Sequence, residues 1–82
     1  MANQHYSMWI KSSCPFCVKA QSLALEHGLS HTIHVMDEDL EGLEKLKEQW
    51  NWTTVPLITT FDGDTEVLVG GCDDFQSSLS SN

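Results

Sequence analysis

Positive charge is what this sequence has least of. Four Lys plus Arg stand against twelve Asp plus Glu, a formal net charge of -8, and a field of that sign repels phosphate backbones and anionic lipid. Nucleic acid and membrane surfaces are therefore not expected partners. Long apolar runs are missing too. No stretch approaches the roughly 18 residues of a membrane-spanning helix, and Met1-Ala2-Asn3-Gln4-His5 has neither the basic residues nor the apolar core of a signal peptide. Cysteine is scarce and odd in number: Cys14 and Cys17 are close in sequence and Cys72 stands apart, a poor framework for a disulfide-stapled secreted miniprotein. The expectation is a protein of the reducing cytoplasm whose cysteines have a catalytic or metal-binding role.

What is present fits one domain over residues 1–82, since single domains usually run from about 50 to 250 residues. A chain this short buries only roughly 60% of its unfolded surface, so one sheet and a few helices must share a core. Tyr6, Met8 and Ile10 alternate with Ser7 and Trp9, the spacing of a strand, and Lys11-Ser12-Ser13 breaks it. Pro15 suits a helix's first turn, and Phe16 to His27 places Cys17, Ala20, Leu23 and Ala24 at helical spacing before Gly28 stops it. His31 to Met36 reads as a second strand with Ile33 and Val35 on one face. Asp37, Glu38 and Asp39 then favour a helix start, and Leu40, Leu43, Leu46 and Trp50 form its apolar stripe.

Leu57 to Phe61, the turn Asp62-Gly63-Asp64, and Glu66 to Val69 read as a hairpin ended by Gly70-Gly71. Asp73 or Asp74 can cap a last helix anchored by Phe75 and Leu79, with Ser77 to Asn82 polar enough to be partly disordered. The predicted order is β-α-β-α-β-β-α, an α/β layer sandwich.

Cys14-Pro15-Phe16-Cys17 falls between a strand and a helix, so the first sulfur meets the unpaired N–H groups of a helix N-terminus, which favour a thiolate. Cys14 is the candidate nucleophile. Cys17 follows nearly one turn later, within reach of Cys14 and more enclosed, as a resolving thiol needs. The competing reading is a pair of structural cysteines or half of a zinc site. Zinc usually takes four ligands, yet there is no second C-x-x-C, His31 and His34 lie along a strand, and His5 and His27 stand apart. No metal is expected.

Three segments in order, Lys11-Ser12-Ser13-Cys14-Pro15-Phe16-Cys17, then Thr54-Val55-Pro56, then Gly70-Gly71-Cys72-Asp73-Asp74, resemble the signature segments of dithiol glutaredoxins. The resemblance spans nearly the whole chain. It implies a thioredoxin-like fold with a mixed four-stranded sheet and flanking helices. It also implies a thiol-disulfide oxidoreductase that reduces protein disulfides or glutathione mixed disulfides through Cys14 and Cys17, with glutathione as co-substrate and no permanently bound cofactor.

By the same resemblance the glutathione site comprises Lys11, Phe16, Thr54, Val55, Pro56, Gly71, Cys72, Asp73 and Asp74. Val55-Pro56 resembles a cis-proline loop whose free backbone edge pairs with glutathione's cysteinyl part, against the plainer option of a proline opening an edge strand. Gly70-Gly71 lets the backbone approach a ligand, and the N–H groups of Cys72 and Asp73 would take the glutamyl carboxylate. Asp73 or Asp74 would pair with the ammonium group, or cap the helix, or both. Lys11 would meet the glycyl carboxylate, the alternative being a solvated lysine.

Two departures accompany the resemblance. Phe16 stands where relatives more often carry tyrosine, and Trp50-Asn51-Trp52-Thr53 stands where they often carry a basic residue. Trp50 continues the helical stripe, which leaves Trp52 as a candidate contact for a protein substrate. Cys72 reads as a small buried residue. The resemblance implies a monomer serving disulfide-containing clients, ribonucleotide reductase among them. The alternatives are electrons drawn from a thioredoxin reductase, suggested by the missing basic residue, and an iron-sulfur cluster carrier, which Pro15 opposes by stiffening the loop beside the shared thiolate.

Overall fold

A computed structural model describes residues 4–80. Its elements follow the expected order: β1 (His5–Ile10), α1 (Pro15–Glu26), β2 (His31–Val35), α2 (Leu40–Trp50), β3 (Leu57–Asp62), β4 (Thr65–Gly70) and α3 (Cys72–Ser80). The four strands form one mixed sheet in the order β2-β1-β3-β4. β1 runs parallel to β2, pairing Met8 with Ile33, and antiparallel to β3, pairing Met8 with Ile58. A parallel neighbour requires a crossover, which α1 supplies. β3 and β4 form the antiparallel hairpin, turning at Gly63 with φ of 69°, and the register shifts between Ile58 and Thr59.

The burial of β1 does not simply alternate, because β1 is an inner strand: Ser7, on the face opposite Tyr6, Met8 and Ile10, is buried as well and Trp9 is half-buried. Tyr6, Met8 and Ile10 are buried in one cluster with Cys17, Ala20 and Ala24 of α1, Ile58 of β3, and Cys72 and Phe75 of α3. Each large side chain removed from water there contributes about 1.5–3 kcal/mol. The Tyr6 and Phe75 rings meet edge to face with centroids 5.3 Å apart, which ties the first strand to the last helix. Leu43 and Leu57 are buried outside this cluster. Leu57 neighbours Ile58 on the strand and so faces the opposite side of the sheet.

Helix ends follow local chemistry. α1 is capped by Cys14, with Pro15 in its first turn, and the His27 N–H closes it onto the Leu23 carbonyl at 3.1 Å. Gly28 then takes φ of 62°, a left-handed turn that suits glycine. In α2 the Asp39 carboxylate accepts the Gly42 N–H at 3.0 Å, and Asn51 closes the other end in the left-handed region.

The structure corrects or refines four expectations. Val35 is 58% exposed, because β2 is the outer strand and its side chains have sheet neighbours on one side only. Leu40 is 52% exposed, so the stripe of α2 is buried from Leu43 onward, with Leu46 and Trp50 half-buried. Asp73 and Asp74 lie inside the first turn of α3 rather than before it, where negative charge complements the helix dipole, and Asp74 caps the helix from within by accepting the Gly71 N–H. Ser77 to Ser80 continue α3, because Phe75 is fully buried and Leu79 packs against the core, and packing outweighs the weak helix propensity of serine. The remainder of the segment expected to be disordered, residues 81–82, lies outside the described residues. Among the described residues no helix is long and apolar enough to cross a membrane.

Candidate active site

The parallel β1–α1–β2 unit determines where the cysteines stand. β1 ends at Ile10, the chain turns with the Cys14 N–H on the Lys11 carbonyl at 3.2 Å, and α1 begins. Cys14 has extended backbone angles, φ −96° and ψ 113°, the geometry of a capping residue. Its Sγ does what a capping oxygen does elsewhere, accepting the Cys17 N–H at 3.2 Å. The half-exposed Cys14 thiol also points at the Val55 carbonyl, 3.8 Å away.

Cys17, one turn into the helix, is fully buried in the α1 side of the core. Burial first, and then a hydrogen bond with the Cys14 side chain, push its thiol up to about 12. Both cysteines are free thiols, as is Cys72. Burial also raises the Cys72 thiol, against a lowering influence from Lys19.

The Val55–Pro56 peptide bond is cis, as the sequence reading of Thr54-Val55-Pro56 anticipated. Just before β3, the Val55 carbonyl lies 3.8 Å from the Cys14 sulfur. Pro56 is buried, Val55 half-buried and Thr54 exposed.

The third segment closes the arrangement. At the start of α3 the Gly71 carbonyl accepts the Phe75 N–H at 2.9 Å and the Gly71 N–H donates to Asp74 Oδ2 at 3.1 Å. Asp73 is exposed on the same turn.

Together these segments enclose an open cleft of about 360 Å³. Phe16 forms one wall, Thr54, Val55 and Pro56 the floor of one side, and Gly71, Cys72, Asp73 and Asp74 the other. Eight of the nine residues read from the sequence as a ligand site thus line one cavity. Lys11 is the exception: it stands outside the lining, and its charge acts on Asp37.

Two residues join the site that the candidate set did not include. Trp52 lines the cleft, with its ring close to Gly71: a Cβ there would meet Trp52 Cζ2 at 3.5 Å. Asp37 holds the loop before Cys14 through Ser12. Trp52 is the residue that the sequence offers as a contact for a protein substrate, outside the glutathione set, whereas Asp37 reads in the sequence as helix-start charge, because nothing in sequence spacing links it to Ser12.

Comparison with known proteins agrees with this architecture. The glutaredoxin family model matches residues 6–64, which hold the paired cysteines and the cis proline. Glutaredoxin-1 of Rhizophagus irregularis is 41% identical over 70 residues, covering 82% of this chain and 65% of its own, so the chain spans a little less than two thirds of that relative's length. Wheat glutaredoxin superposes with a TM-score of 0.71 at 29% identity, over 93% of this chain and 70% of that one. The holo form of glutaredoxin C1 from Populus tremula x tremuloides gives 0.74 at 25% identity, over 94% and 75%. The capping sulfur of Cys14, the cis Val55–Pro56 bond beside it and the family match over most of the chain lead to one assignment: this chain belongs to the glutaredoxin family.

Proposed function

We propose that the chain catalyses thiol-disulfide exchange through Cys14 and Cys17, reducing protein disulfides or glutathione mixed disulfides with glutathione as the reductant. One contrast carries the reading: Cys14 Sγ is half-exposed with an amide donor at 3.2 Å, while Cys17 beside it is buried and held protonated at neutral pH. The first sulfur is placed to attack and the second to wait.

The Cys14 sulfur attacks one sulfur of the substrate disulfide. That bond breaks, the departing sulfur takes a proton, and a mixed disulfide remains on Cys14. Cys14 then no longer offers charge or a hydrogen bond to Cys17, so two of the causes that raise the Cys17 thiol disappear. Cys17 loses its proton and attacks the Cys14 sulfur, releasing the second substrate thiol and closing a Cys14–Cys17 disulfide. The substrate gains two electrons and two protons. Two glutathione molecules reopen the protein disulfide and leave as glutathione disulfide.

In this reading the backbone of Val55 pairs with the cysteinyl part of glutathione, the N–H groups of Cys72 and Asp73 take its glutamyl carboxylate, and Asp73 or Asp74 its ammonium group. Phe16, Thr54, Pro56 and Gly71 shape the walls, and Lys11 meets the glycyl end from beyond the cleft. The protein acts as a cytoplasmic monomer without a permanently bound cofactor, on client disulfides that include ribonucleotide reductase.

A second reading, electron supply by a thioredoxin reductase, is favoured by one feature: the charged side chains lining the cleft are the carboxylates of Asp73 and Asp74, with Trp52 rather than a cation before Thr54. The deciding experiment is steady-state reduction of a glutathione mixed disulfide coupled to glutathione reductase, alongside turnover driven by thioredoxin reductase. Turnover with glutathione is the expected result. Turnover only with thioredoxin reductase would retain the dithiol chemistry and remove glutathione from it.

A further inference from the structure

The cleft beside Cys14 is aromatic and acidic at once. Phe16, 59% exposed, and Trp52 supply flat apolar surface, while Asp73 and Asp74 supply the charge. The two carboxylates are not equivalent. Asp74 is engaged by the Gly71 N–H, and Asp73 lies exposed on the same turn with no hydrogen bond or ion pair among the described residues.

The sequence has four lysines and no arginine, and none of the four lines this cleft. Lys11 acts on Asp37, Lys19 acts on Cys72 from outside the lining, and Lys47 pairs with Glu44 at 3.4 Å. Around this site the whole molecule carries -8, a field that draws cations in and slows anions. Lys and Arg side chains bind favourably over aromatic faces and against carboxylates. The Val55 carbonyl beside the Cys14 sulfur offers an extended peptide a backbone partner next to the reacting atom.

We propose that the preferred protein substrate is a disulfide in an extended segment flanked by Lys or Arg, seated between Phe16, Trp52 and the Asp73 carboxylate. This rests on the reading of Cys14 and Cys17 as an exchanging dithiol, and adds to it the charge of the client. Bond changes are those of that reading: one substrate S–S bond breaks, one Cys14–Cys17 bond forms, and two electrons and two protons pass to the substrate.

The test uses the pre-reduced full chain and two peptides of identical length and cystine spacing, one flanked by Lys and the other by Glu. A small neutral disulfide, bis(2-hydroxyethyl) disulfide, serves as reference. Second-order rate constants are measured at low and high salt. The Lys peptide is expected to react about tenfold faster at low salt, with the gap narrowing as salt screens the field. Asp73→Asn and Trp52→Ala are each expected to shrink the ratio of the two peptide rates; the ratio is the readout, so a general loss of activity does not imitate the effect. Equal rates, a faster Glu peptide, or a ratio that neither variant changes would overturn the proposal while the dithiol reading stands. Failure to reduce even the neutral disulfide would instead remove the dithiol reading beneath it.

Discussion

Asp37 holds Ser12 by two hydrogen bonds: the Ser12 N–H donates to Oδ1 at 3.0 Å, and the Ser12 hydroxyl donates to Oδ2. Ser12 belongs to the turn that delivers Cys14 to the start of α1, and Asp37 to the connection between β2 and α2. The bonds span 25 positions of sequence, and they fix the loop whose Lys11 carbonyl takes the Cys14 N–H.

This pairing has an acid signature. The Ser12 hydroxyl and N–H, helped by Lys11, hold the Asp37 carboxyl below its ordinary 3.8. A depressed folded-state value means that the contribution is present above about 3.8 and is lost as pH falls through the folded value. In urea titrations between about pH 5 and pH 2 the native chain should lose stability more steeply than Asp37→Asn. Parallel curves would show that the carboxylate makes no net bond to Ser12 in solution.

The two thiols should separate cleanly in reactivity. Iodoacetamide at neutral pH is expected to label Cys14 in the folded chain and to leave the fully buried Cys17, raised to about 12, until denaturant is added. Cys14→Ser should lower turnover by about 10³-fold or more with every disulfide. Cys17→Ser should keep reduction of glutathione mixed disulfides, for which glutathione itself resolves the intermediate. Equal loss in both variants would contradict the attack-and-resolve order.

The same value for Cys17 sets an alkaline limit. Its folded thiol is raised from 9.0 to about 12, so the contribution is complete below about pH 9 and is lost as pH rises toward 12. Guanidinium midpoints measured across this range should fall less in Cys17→Ser than in the native chain.

Phe75 anchors α3, and with it the cleft wall formed by Gly71 to Asp74. It is fully buried and packs edge to face on Tyr6. Phe75→Ala should cost about 3–5 kcal/mol by urea denaturation, a large share of the stability of so small a domain. A loss below about 1 kcal/mol would mean that α3 is not held by this contact.

Neighbouring glycines should respond differently. Gly70 has φ of 124°, and a Cβ there would come within 2.5 Å of Asp74 Oδ2, the atom that receives the Gly71 N–H. Gly70→Ala should therefore cost about 1–3 kcal/mol. A Cβ at Gly71 finds its nearest neighbour at 3.5 Å, an ordinary contact, so Gly71→Ala should stay within about 0.5 kcal/mol of the native chain. Thermal melts of the two variants would check the contrast.

Much of this was present in local pattern. The alternation of Tyr6, Met8 and Ile10, Pro15 after Cys14, Gly28 after α1 and the Asp62-Gly63-Asp64 turn each depend on neighbours within a few positions, so the element order could be written from the sequence. Of the nine residues that the three motif segments assign to a ligand site, eight line one cleft and Lys11 does not. Val35 shares a strand face with Ile33 and Leu40 opens the α2 stripe, yet both are exposed, because periodicity gives the direction of a side chain but not whether anything covers it.

The sequence by itself determined the spacing of Cys14 and Cys17, the deficit of positive charge, and the order of strands and helices, because these are properties of composition and of short stretches of chain. Tertiary structure decided the rest. It set the contrast between a half-exposed Cys14 and a fully buried Cys17, brought the Val55 carbonyl to the Cys14 sulfur, left Lys11 outside the cleft, put Trp52 in its wall and joined Asp37 to Ser12. Each of these depends on strands and loops distant in sequence meeting across one sheet, and burial, which sets the Cys17 thiol, exists only once they have met.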